Sequence, residues 1–181
     1  MTEINKDLDY FQKGIYDLEE YLLSTELYWN LPGLSRLTMG GLLLAKVRLQ
    51  ESKLLPDQQL LFQELIRELE TATIKWRVAW ENKIFREIGS RLTLWQNYLI
   101  DYWSTPDEFA DAYPREVRWR VMLQLLSDEV SGNFKERILL AALDERLRSS
   151  FLRGDFIWTE NLATILPESK YWYLYGNLHA G

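Results

Sequence analysis

Two stretches set cations beside tryptophan inside apolar runs: VRWRVML at 117–123 and IKWRVAW at 74–80. Arg118, Trp119, Trp76 and Arg77 are the residues from which chemistry could start. A guanidinium fork matches carboxylate or phosphate, and a flat indole can wall a cleft. Convergent, these four would form a site for an anionic ligand between helices.

Helical geometry, at about 100° per residue, tells the two stretches apart. In the first, Leu65, Leu69, Ala72, Trp76, Ala79 and Trp80 share one face, while Ile74, Val78 and Phe85 form a second, smaller apolar face. Lys75 and Arg77 fall in the polar gaps, which predicts a helix buried on two sides with its cations at the margins. In the second, Val117, Val121, Met122, Leu125 and Leu126 fill a wide apolar arc. Arg118 projects from within that arc and Arg120 points away to solvent, so the stretches are not an internal repeat.

A guanidinium among apolar side chains costs several kcal/mol unless it is paired. The plainer expectation for Arg118 is an internal ion pair. The alternative is an anion site with Trp119 and Trp76 as its walls. On the first reading Arg118→Ala is costly and Arg120→Ala is near neutral.

Other reaction chemistry finds no residues. The chain has no cysteine and one histidine, His179, so thiolate sites, His-based triads and His-rich zinc sites are unavailable. Gly40-Gly41 lacks the spacing and the Lys-Ser/Thr of a phosphate loop. Asp128-Glu129 and Asp144-Glu145 are neighbours in sequence, diverge by about 100° on a helix, and read as solvated face. No catalytic residue, metal ligand or cofactor is expected.

The aromatic load is heavy, with eight Trp, ten Tyr and seven Phe. At helical spacing Trp76/Trp80 and Trp95/Tyr98/Tyr102/Trp103 read as core. Tyr28-Trp29 and the run YWYLY do not, since five consecutive large residues cannot all face one way. Tyr28, Trp29, Tyr171, Trp172, Tyr173 and Tyr175 are therefore the expected interaction surface.

The elements that position these residues are helical. Ile4, Leu8, Phe11, Ile15, Leu18 and Leu22 recur at threes and fours, and Thr38 caps a helix that Gly40 and Gly41 weaken at its start. From Leu61 to Trp103 the same spacing persists, as one long helix or two, with a bend expected near Gly89-Ser90. Thr105-Pro106-Asp107-Glu108 starts the next helix, Pro114 restarts it, and Gly132 and Asn133 stop one helix and cap another. A short helix covers about 159–166. No alternating strand stands out unless 171–175 is one. The expectation is an all-α bundle of about six or seven helices with a long central helix, one domain over 1–181, and a short loose C-terminal tail from about 177.

With 21 basic and 27 acidic residues, the net charge of −6 opposes broad phosphate contact, so Lys75, Arg77, Arg86 and Arg91 are a weak basis for nucleic-acid binding. MTEINKDLDYF does not read as a secretory signal, and no apolar run reaches the roughly 20 residues of a membrane span. A cytoplasmic protein with no membrane partner is expected. Two functional readings result: a non-catalytic module that binds a protein partner or itself as a homo-oligomer, or an anionic-ligand binder or enzyme around Arg118.

Overall fold

The computed structural model describes residues 2–131 and 134–180. The protein is all-α with a small two-stranded sheet, and it divides into two compact units, Met1–Glu87 and Ile88–Gly181. The expected caps Gly132 and Asn133 lie outside the described residues.

The first unit holds α1 (Glu3–Tyr16), α2 (Leu18–Leu23), α3 (Met39–Gln50), α4 (Pro56–Lys75) and the start of α5 (Arg77–Ser104). The expected first amphipathic helix is interrupted at Asp17, whose carboxylate accepts from Trp29 Nε1 at 3.0 Å. Its apolar face is the core: Leu8, Phe11, Ile15, Leu18 and Leu22 are buried. Thr38 caps α3 as expected, its hydroxyl accepting from Gly41 N at 3.0 Å.

The second of the two glycines that weaken α3 in sequence has a packing reason, and the first turn as a whole has an acceptor. A β-carbon on Gly41 would run into the Tyr10 hydroxyl, and the Met39 and Gly40 amides donate to the buried Glu87 carboxylate at 2.6 and 3.0 Å. Glu87 thus supplies an acid to the positive end of a helix that has none in its own first turn. Glu87→Ala strands both buried amides and is expected to cost about 2–3 kcal/mol in urea unfolding, and Glu87→Gln about half that. Equal, negligible effects would mean those amides have other acceptors.

The long apolar pattern breaks at Trp76, where φ is −114° and ψ 33°, and not at Gly89-Ser90, which lie inside the uninterrupted α5. Gly89 has room for a side chain, with nothing closer than 3.8 Å to a β-carbon built there, so it marks no bend.

The second unit continues along α5 to α6 (Pro106–Phe109), α7 (Tyr113–Glu116), α8 (Arg118–Asp128), α9 (Glu136–Ser150), β1 (Phe151–Phe156), α10 (Glu168–Tyr171) and β2 (Tyr175–Leu178). The strands pair antiparallel, Phe151 with Leu178 and Phe156 with Tyr175, with a bulge after Arg153. The expected loose tail is therefore partly strand, and His179 O accepts from the Tyr102 hydroxyl at 3.1 Å. Gly176 sits at φ +146°, where a β-carbon would collide with Leu152 O and the Phe151 ring. Residues 171–175, the only stretch the sequence offered as a strand, are a helical turn and a 3₁₀ turn entering β2.

Candidate functional site

The expected ligand residues fall in different units. Trp76 and Arg77 belong to the first. Trp76 is half-buried with Lys75 Nζ 4.8 Å from its ring centre, and Arg77 is turned outward to pair with Glu81 at 2.6 Å. A groove of about 510 Å³ runs beside Trp76, lined by α1–α2 residues such as Ile15, Tyr16 and Glu19 and by α4 residues such as Glu64, Glu68 and Lys75. Lys75 bridges to Glu19 at 3.2 Å. Carboxylates outnumber cations along its walls, a poor setting for an anion.

In the second unit the arginine assignment reverses. Arg118 is half-buried, its guanidinium 4.2 Å from the Trp119 ring centre, and Arg91 lies 4.8 Å from the same ring. Trp119 donates its Nε1–H to Glu116 at 2.9 Å. Arg120, expected in solvent, is the buried one. It forms a fork on Asp144, Nε to Oδ1 at 2.9 Å and Nη2 to Oδ2 at 2.8 Å, with Tyr173 beneath it at 4.5 Å from the ring centre.

The physical reason lies in α9 and the chain end. The apolar arc of α8 is not its only covered side: the α9 carboxylate and the aromatic run close over Arg120 as well. Asp144, read as solvated face, is the counter-ion. Asp128 pairs instead with Lys170 at 2.6 Å.

The expected interaction surface is likewise redistributed. Tyr171 and Tyr173 are buried, and Tyr173 O accepts from the Tyr113 hydroxyl at 2.6 Å. Trp172 packs edge-on against Phe151 with Arg148 stacked 3.8 Å from its ring centre, and the Tyr175 hydroxyl donates to Leu166 O at 2.9 Å. The turn at 171–174 winds these side chains around its axis, so neighbouring rings enter the interior from several directions. Trp29 is half-buried and tied by backbone bonds to Leu37, whereas Tyr28 is at the surface. Truncating Tyr173 would test folding, not association.

Exposed apolar side chains appear elsewhere. Ile74, Val78 and Phe85, the second face of the IKWRVAW helix, are 80%, 73% and 38% exposed, where burial was expected. Nothing in the spacing of those three residues separates a face that packs within the chain from one that awaits a partner.

Among the described residues no group of His, Asp and Glu could hold a metal ion, and no helix is long and apolar enough to cross a membrane. Comparison with protein-family models, curated proteins and solved structures finds no match for the chain.

Proposed function

We propose that the chain is a protein-interaction module whose contact face is the strip Ile74, Val78 and Phe85 on α4 and α5. The observation that carries it is the exposure of two β-branched residues one helical turn apart, followed by an aromatic on the same side. Contiguous apolar residues on a helix stripe mark sites where another helix lays its own apolar face. Single exposed apolar residues need no such explanation, which sets Leu55 apart.

A photo-cross-linking residue placed at 74 or 78 in the full chain, in cells, is expected to give a discrete protein adduct, and the same residue at 55 none. Val78→Asp should abolish the adduct formed from position 74 while changing stability by no more than about 0.5 kcal/mol, as for a surface substitution. Absence of an adduct from both strip positions, or equal yield from position 55, sinks the reading.

A further inference from the structure

Ile74 lies midway between two opposite charges on its own strip. At about 100° per residue, Leu60, Arg67, Val78, Glu81 and Phe85 all fall within about 40° of Ile74 around the helix. The bonds Trp76 N to Ala72 O and Trp80 N to Trp76 O, both 2.9 Å, lead into and out of the irregular residue, and Arg67, Thr71, Ile74, Val78 and Phe85 are exposed on its two sides. Arg67 precedes Ile74 by one heptad, about two helical turns, and Glu81 follows it by the same interval, roughly 10 Å along the axis in each direction.

We infer that the occupant of this face is a second copy of the same face, packed antiparallel about Ile74; the inference rests on the interaction reading above. A two-fold contact sets the same patch on both partners, so it must be self-complementary. An axis at Ile74 sets Ile74 on Ile74 and brings Arg67 of each copy against Glu81 of the other. Val78 then falls beside Thr71, and Phe85 between Leu60 and Glu64, of the second copy. A parallel arrangement would set Arg67 on Arg67 and Glu81 on Glu81, so charge selects the antiparallel one.

The alternation of fours and threes through 60, 64, 67, 71, 74, 78, 81 and 85 is the spacing of a helix seam. Arg67 is exposed, and Glu81, though it accepts from Arg77 Nε at 2.6 Å, has the lone pairs to accept from a second guanidinium. Four apolar side chains per copy, Leu60, Ile74, Val78 and Phe85, make a small patch beside a standard interface of roughly 1,600 Å², so the pairing belongs to the transient class.

Sedimentation velocity of the full chain across a concentration series, extending to the millimolar range, is expected to show a monomer–dimer equilibrium. Arg67→Glu and Glu81→Arg, both surface changes whose folding circular dichroism checks, should each weaken it about tenfold or more, because each puts like charges together twice per dimer. Mixed in equal amounts, the two variants should associate with each other and recover dimer, since every cross-copy contact is then of opposite sign. A wild-type chain monomeric throughout, or a mixture no better associated than its components, overturns the pairing. An adduct from position 74 to a different protein, with the chain itself monomeric, overturns it too while leaving the interaction reading in place; no adduct at all removes the reading itself.

Discussion

Arg120→Ala is expected to destabilise the protein by about 3–5 kcal/mol, and Arg118→Ala, at a half-buried position, by less. Arg120 is buried with its fork closed on Asp144, and truncation leaves that part-buried carboxylate without its cation. The loss is a large part of the 5–15 kcal/mol typical of a whole domain. Arg118 is only half-buried, over the Trp119 ring. The pair's own worth is a separate question, since removing both charges also removes the cost of burying them. Arg120→Met with Asp144→Leu should therefore be closer to wild type than either single change. Urea unfolding of the five variants decides it: equal small effects at 118 and 120, or a double variant as damaged as the sum of its two singles, contradicts the buried pair.

The error in assigning these two arginines shows where sequence periodicity stops. The α8 residues Val117, Val121 and Leu126 were legible as core because one helix suffices to define its apolar arc, and all three are buried. Arg120's partner sits 24 residues away on α9, and no local spacing encodes it. The same holds for β1: no alternation marks 151–156 as a strand, and only pairing with 175–178 makes it one. Thr38 and Pro106 were readable because capping chemistry is local, as was the helical class. The spacing sets Ile74, Val78 and Phe85 on one face but does not give their exposure, because periodicity gives the direction of a side chain and is silent on what stands opposite it. YWYLY failed for the converse reason: a turn at 171–174 distributes its rings where an extended run would have exposed alternate ones.

Raising the pH above about 10 is expected to unfold the protein steeply, through tyrosines that the same aromatic cluster keeps protonated. Burial pushes the phenol of Tyr171 up to about 12, and raises those of Tyr98, Tyr113 and Tyr173 further. For Tyr98 the nearby Glu116 adds to the rise; for Tyr173 the Arg120 cation opposes it without cancelling it. In the unfolded chain all four ionise near pH 10. Above that value the unfolded state releases protons that the folded state retains, so stability present below pH 10 is lost as pH climbs toward the folded values. Each such phenol contributes a slope of about 1.4 kcal/mol per pH unit, and the four together about 5, enough to exhaust a typical stability within one to three units. Urea unfolding at stepped alkaline pH measures the slope, and phenolate absorbance read beside helical circular dichroism identifies its source. The buried set should titrate only as the helical signal collapses. Tyr171→Phe, which removes one ionisable group and keeps the ring, should lower the slope by about a quarter. If all the tyrosines titrate near pH 10 while the helical signal holds, the cluster is open to water and the enclosed Arg120–Asp144–Tyr173 arrangement fails with it.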